Sequence, residues 1–449
     1  MDMQQERLFT PRQLRLLVLP LIVELALKLV VGMVDSVMVA SAGEAAVSGV
    51  SLVDTVMQLV IYVFAAMASG GAVVAGQYLG SGNGERARRA ADELMWLNMA
   101  LSLVIMLAVL LASRWIVGSL FGQIEAQVAY HASGYLFYVA LSIPAIAIFE
   151  AGTAIYRTMG NAKITMKISL LMNAINCAGN AVLIYGLSMG AAGAAIATLV
   201  ARWVAAIIVV GLLLNQKLEL HLFKTLRHRF DLALSRQIMS VGVPGGVENG
   251  VFQLGKIALL GLTATFGTSA ITANAITQTL ASIQVIPGSA IQLAMVTVIA
   301  RCVGAQDYAQ ARYYNRKLLL TAYLSLIVLS AALYLCLPGI LSLYGLSQAT
   351  AQLTGDMFLW HTLGAALLWP LAFDLPASLR AAGDVKFPML ISILSMWAFR
   401  FGGAYLLAYP LGMGAVGVWA AMALLDWGFR AVIYCLRWRG GKWQRMRVI

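Results

Sequence analysis

The sequence predicts an all-α integral membrane protein with twelve transmembrane helices in two six-helix lobes, related by a pseudo-two-fold axis along the membrane normal. Three observations predict it: an apolar composition, a dozen long apolar runs, and one internal repeat. Of 449 residues, 61% are hydrophobic and 11% charged, and the mean hydropathy is +0.83. That leaves too little polar surface to cover a soluble globule of this size. A helix of about 20 apolar residues crosses a hydrocarbon core of roughly 30 Å, so the chain has room for about a dozen crossings and no large soluble domain. The runs are continuous and do not alternate in segments of about ten, which excludes a membrane β-barrel. Helices satisfy their own backbone groups in lipid.

The runs fall near 14–41, 49–79, 93–113, 130–156, 166–187 and 192–214, then 237–265, 272–300, 318–336, 352–379, 388–409 and 416–436. The start, MDMQQERLFTPRQLR, is polar, and no small-residue cleavage site follows a short apolar stretch. The first run is therefore expected to stay as a helix and not to be removed as a signal peptide. With both termini cytoplasmic, the inside segments hold 25 of the 31 Lys and Arg. The outer loops hold only Arg114, and Lys28, Arg202, Lys256, Arg400 and Arg430 fall inside spans. This asymmetry sets the orientation in a cell (inner) membrane. The formal charge of +12 is then a property of loops beside anionic lipid, and no nucleic-acid partner is implied.

The repeat runs at an offset of 224. Arg12-Gln13 matches Arg236-Gln237, Pro20 matches Pro244, Val23-Glu24 matches Val247-Glu248, Gly43 matches Gly267, and Ala87-Arg88 matches Ala311-Arg312. It slips by one, so that RTMGNAK at 157–163 faces RAAGDVK at 380–386, and recovers at MGAAG (189–193) against MGAVG (413–417) and Trp203 against Trp427. Two lobes follow, 1–224 and 225–449, divided in a basic cytoplasmic linker (215–236) with Lys217, Lys224, Arg227 and Arg229. Six spans per half make the repeat parallel, with a cleft between lobes.

An ionisable side chain in a span costs about 2.5 to 3.5 kcal/mol on insertion scales, so each needs a reason. On the first helix Glu24, Lys28 and Asp35 share one face, within about 40° of one another at 100° per residue. Glu24 and Glu248 are repeat mates, as are Glu150 and Asp374. Duplicated acids are expected to serve the shared scaffold by pairing with Lys, Arg or freed backbone at the inner mouth. Lys28 is expected to neutralise Glu24 one turn away. Lys256, Arg400 and Arg430 are expected to pair with Glu248, Asp426 or Asp374. His361 is either a proton carrier or a hydrogen-bonded packing residue.

Asp35 differs, because its repeat mate is Leu259. Asn176 and Asn180 lie one turn apart and face Phe399 and Gly403, and Thr198 faces Met422. One lobe is thus polar where its twin is apolar, with Asn173 nearby. A carboxylate, two amide carbonyls and a hydroxyl form an oxygen-only set suited to a hard monovalent cation, or to a proton with water. The alternative is a satisfied hydrogen-bond cluster that carries no ion. Four scattered cysteines show no metal-binding spacing. The absence of GxxxxGK[ST] and of any nucleophile motif argues against an ATP motor and against an enzyme. The 21 Met and 10 Trp supply adaptable apolar surface suited to varied ligands, or serve as core and interfacial anchors.

The segments GMVDSVMVASAGEAAVSGVSLVD (32–54), RTMGNAK (157–163), GAAGAAIAT (190–198), VPGGVENGVFQLGK (243–256) and RAAGDVKF (380–387), together with an intramembrane aspartate in the first of twelve spans, closely resemble the multidrug and toxic compound extrusion (MATE) family along nearly the whole chain. The resemblance implies two lobes in a V, alternating access by rocking, and export of lipophilic, often cationic, organic compounds in exchange for Na+ or H+. It places Asp35 at the first-helix aspartate, Asn176 at the fifth-helix asparagine and Thr198 in the sixth-helix GAAxAT. Asn180 stands where some members have aspartate, which leaves Asp35 as the one carboxylate of the set. Lys28 is unexpected for the family, and Glu24, Lys28, Glu150, Glu248 and Asp374 are carried as gating or substrate-lobe candidates. The expected partners are a small organic substrate and membrane lipid, with no cofactor beyond the coupling ion, and the expected state is a monomer. The rivals are a lipid-linked precursor flippase, which calls for a strongly basic cleft, and a channel or other non-transporting membrane protein.

Overall fold

The computed structural model describes residues 7–120, 125–224 and 228–449. Arg227 of the linker, and residue 225 where the second lobe was expected to begin, lie outside them. Every regular element among the described residues is helical. The first half holds α1 (Pro11–Ala40), α2 (Glu44–Gly80), α3 (Gly84–Trp115), α4 (Ala126–Ala140), α5 (Ile143–Thr158), α6 (Ala162–Asn180) and α7 (Gly190–Leu213). The second holds α8 (Leu232–Ala264), α9 (Thr268–Gln284), α10 (Ile286–Gly304), α11 (Tyr308–Leu343), α12 (Gln348–Leu367), α13 (Leu375–Ala381), α14 (Lys386–Leu394), α15 (Gly403–Ala408), α16 (Gly414–Ala420) and α17 (Trp427–Arg439).

By length and apolarity nine crossings are present among the described residues, or eleven when each of two bent pairs counts as one. The twelfth expected span is α8, long enough at 33 residues and carrying the polar stretch VPGGVENG at its centre. Three expected spans are broken. The fourth bends by 48° between α4 and α5, and the tenth bends by 62° after α12; the eighth divides at Val285 between α9 and α10. Each break is followed within three residues by a proline (Pro144, Pro287, Pro370), which cannot donate to the preceding turn.

The repeat is written into the backbone as well. Gly43 and Gly267, mates at the offset of 224, both turn into the next helix with positive φ, 102° and 94°, a conformation that favours glycine. Asn83 and Asp307, also mates, both cap the helix that follows by accepting from the backbone N–H three residues on.

By packing, the chain groups into two compact units: Arg15–Gly246, and the chain up to Leu14 together with Val247–Ile449. The packing boundary falls within α8, while the repeat divides in the linker, because the first half of α8 and the linker are fastened to the first unit. Gly70 of α2 and Gly242 of α8 bring their backbones together: a Cβ on Gly70 would lie 2.7 Å from the Gly242 nitrogen. Such small-residue contacts drive helix association where lipid removes the hydrophobic term. The linker is held by His228, whose two ring nitrogens lie 3.0 Å from Asp92 and 2.8 Å from Glu93 of α3. The Phe223 N–H donates to Asp92 at 3.2 Å.

Candidate functional site

In the first unit α1, α6 and α7 bring four polar side chains to one place. Asn180 donates its amide to Asp35 Oδ1 at 2.8 Å. Asn176, with its amide turned so that both ends find partners, donates to Asp35 Oδ2 and Oδ1 at 2.8 and 2.9 Å and accepts from Thr198 Oγ1 at 3.0 Å. Asn180 closes α6 and is followed by a π-helical turn, Ala181–Gly186. Such turns often mark functional sites because they re-aim side chains. Among the described residues Asn180 Oδ1 is buried without a donor, and the neighbouring Asn173 amide nitrogen is likewise unpartnered.

The sequence reading missed the outer part of this network. Asp54 of α2 accepts from the Tyr135 hydroxyl at 3.1 Å and acts electrostatically on Asp35, so a second carboxylate joins the set where one was expected. Arg202 of α7 acts on both acids and donates to Ser142 Oγ at 2.9 Å. A signal was available: Asp54 is the lone charge of its run and faces Gln278 in the other lobe, the same criterion that singled out Asp35.

Glu24 sits apart from Asp35, almost fully buried, with Lys28 at 3.3 Å. It accepts from Thr165 at 2.9 Å and Ser169 at 3.1 Å, and feels Arg157. Its mate Glu248 meets Arg380 at 3.1 Å, and Arg380 is the repeat mate of Arg157. Both duplicated glutamates therefore face the same arginine position. Glu150 lies on α5 beside Phe149, whose ring is 5.8 Å from the Lys28 ammonium.

In the second unit three charged positions sit on π-helical turns: Asp374 at the end of Pro370–Asp374, Arg400 in Ser395–Gly402 and Asp426 at the end of Ala421–Asp426. Asp426 is fully buried and meets Arg430 at 3.0 Å and Arg400 at 3.6 Å. It also accepts from Ser395 at 2.5 Å. The expected pairing thus holds for Arg400 and Arg430 but not for Lys256, whose ammonium rests 5.5 Å from the Phe252 ring centre. Nor does it hold for Asp374, whose oxygens are buried with no partner among the described residues. His361 is a packing residue, with Nδ1 2.5 Å from Gln284 and its ring edge-on to Trp419 and Trp427.

Two apolar helical units, each with charges buried away from the ends of the crossings, are the construction of a polytopic membrane protein. Relatives agree. The MatE family profile matches residues 20–182 and again 244–406, a displacement equal to the internal offset. The chain is 27% identical over 436 residues to the uncharacterised transporter YisQ of Bacillus subtilis, covering 94% of this chain and 93% of the relative. It is 24% identical over 446 residues to a probable multidrug resistance protein, NorM, of Thermotoga maritima, covering 98% and 94%. In fold it matches an outward-facing multidrug resistance MATE family transporter with a TM-score of 0.89 at 19% identity, covering 97% of this chain and 95% of that one. The chain belongs to the MatE family. It is a multi-pass membrane transporter and not an enzyme.

Proposed function

We propose that the chain is a secondary antiporter that exports lipophilic, often cationic, organic compounds in exchange for Na+ or H+. One observation carries this: Asp35 held by Asn180 and Asn176, with Thr198 behind them and the Asn180 carbonyl left without a donor. A carboxylate beside an unused amide oxygen and a hydroxyl offers ligands to a hard cation, or a site for a proton with water. Coupling requires only that the bound ion favour one of two states of the carrier. The multidrug resistance names of the NorM relatives support the substrate class. In this reading the carrier is a monomer in the cell membrane with both termini cytoplasmic, where the linker and loop cations meet anionic lipid. It alternates access by rocking its lobes, with Glu24, Glu150, Glu248 and Asp374 as scaffold or gating acids.

The test is efflux of a fluorescent organic cation from proteoliposomes with Na+ and pH gradients imposed separately. One gradient should drive export in the wild type, and Asp35→Asn should abolish the driven component while leaving yield and elution profile unchanged. Undiminished gradient-driven export by Asp35→Asn overturns the assignment.

A further inference from the structure

Three like charges crowd one aromatic ring in the second unit. The Arg430 and Arg400 guanidinium carbons lie 5.2 and 5.3 Å from the centre of Phe252, and the Lys256 ammonium lies at 5.5 Å. Among the described residues only Asp426 pairs with any of them, and it is taken by Arg430 and Arg400. Lys256 makes no ion pair among the described residues. Arg400 is under-used: one of its terminal nitrogens points at the Met422 sulfur at 2.9 Å, and its Nε is buried with no acceptor among the described residues. Guanidinium donors ordinarily fork onto oxygen, and a buried charge without a partner is costly. Of the other buried acids of this unit, Asp384 is held by Arg437 at 2.7 Å, and Asp374 accepts from none of the three among the described residues.

The arrangement does not belong to the duplicated scaffold. Gly32 is the repeat mate of Lys256, Cys177 stands opposite Arg400, and Ala206 opposite Arg430. The two turns that carry Arg400 and Asp426 are π-helical, whereas α6 and α7 run as regular α-helix through the matching residues of the first half. An unmatched arginine on a re-aimed turn, beside a lysine with no ion pair, points to a ligand.

We propose that Lys256 and Arg400, over the face of Phe252, bind the anionic group, a carboxylate or a phosphate, of an amphiphilic compound that the carrier handles. The proposal rests on the carrier reading above and adds a substrate class to it. Arg400 presents its unused edge for a forked contact, Lys256 supplies a point charge, and the ring packs against the apolar body of the ligand.

The experiment uses the full chain in phosphatidylcholine nanodiscs with no ion gradient. A fluorescent aryl carboxylate and its neutral carboxamide are titrated and followed by anisotropy. The acid should bind at least about tenfold tighter than the amide; Lys256→Gln should erase that preference and Lys256→Arg should keep most of it. Displacement of the acid by phosphatidic acid placed in the disc identifies a lipid headgroup as the source of the anion, and displacement by soluble benzoate identifies a dissolved solute. Equal wild-type affinity for acid and amide overturns the proposal, as does a preference that survives Lys256→Gln; the wild-type comparison decides even where a variant fails to fold. Acid preference without gradient-driven export defeats the antiport reading alone, and gradient-driven export without acid preference defeats this proposal alone.

Discussion

At the offset of 224, Arg202 of the first half stands opposite Asp426 of the second, and around these two positions the charges are inverted. Arg202 is the single base acting on two acids, Asp35 and Asp54. Asp426 is the single acid among three bases, Lys256, Arg400 and Arg430. One helical plan thus holds two interiors of opposite sign. The scaffold is kept by what is duplicated: turn glycines, the Asn83 and Asp307 caps, and the glutamate–arginine positions. Specialisation lies in what is not, because a residue present in one half alone cannot be required by a plan that both halves share.

The largest expected effect tests whether the second interior depends on its lone acid. Asp426→Leu would leave Arg400 and Arg430 buried without a counter-charge, and removing one partner of a buried pair costs about 3–5 kcal/mol. Arg202→Leu should cost less, about 1–3 kcal/mol, since Asp35 and Asp54 keep donors in Asn180 and Tyr135. Thermal unfolding in detergent, read by size exclusion, checks both; equal losses would erase the contrast.

Next comes the place where the units divide. Gly242→Leu puts a branched side chain where a Cβ alone would lie 2.9 Å from the Met67 α-carbon. Overpacking of this kind costs about 1–3 kcal/mol. Gly250 of the same helix has open space around it, so Gly250→Leu, measured in the same way, should leave stability near that of the wild type. A neutral Gly242→Leu would mean that the first half of α8 is not fastened by this contact.

A third change sharpens the acid side. Asn180→Asp would add a carboxylate to Asp35 within a hydrogen-bond length. A bound cation relieves the repulsion between them, so Na+ should bind about tenfold tighter, a change of roughly 1.4 kcal/mol. Na+ titration of intrinsic tryptophan fluorescence reads it. Weaker Na+ binding in the variant would show that the Asn180 amide, and not its position, is what the site requires.

Much of this was legible in the residues, and the reasons for the remainder are physical. Apolar length and a constant offset depend only on local sequence, so the helical class, the repeat and the Asp35, Asn176, Asn180 and Thr198 grouping could be read directly. Breaks at Pro144, Pro287 and Pro370 were hidden because a kinked crossing is as apolar as a straight one. The π-helical turns under Arg400 and Asp426 leave no period to detect in the sequence. Pairing was the least legible feature. Lys256 had three acids available in the sequence, but Glu248 is taken by Arg380, Asp426 by two arginines, and Asp374 is buried without a partner among the described residues, distinctions that only coordinates reveal.

The smallest expected effect concerns the duplicated glutamates, where the halves look most alike. Lys28 lies one turn from Glu24 with its side chain 37% exposed; a helix pair of that kind contributes about 0.3–0.5 kcal/mol. Lys28→Met should therefore shift unfolding barely at all, because Glu24 still accepts from Thr165 and Ser169 and feels Arg157. Arg380→Met removes the ion-pair partner of Glu248, both hydrogen bonds of which come from that guanidinium. Its cost should reach about 1.5–3 kcal/mol, that of a charge-assisted hydrogen bond lost by a partly buried acid. If the two variants unfold together, Glu24 depends on Lys28 as fully as Glu248 depends on Arg380, and the two halves treat their shared acid alike. If they separate as expected, the first half has surrounded that acid with neutral donors, so that Lys28 can be lost without loosening α1 against α6.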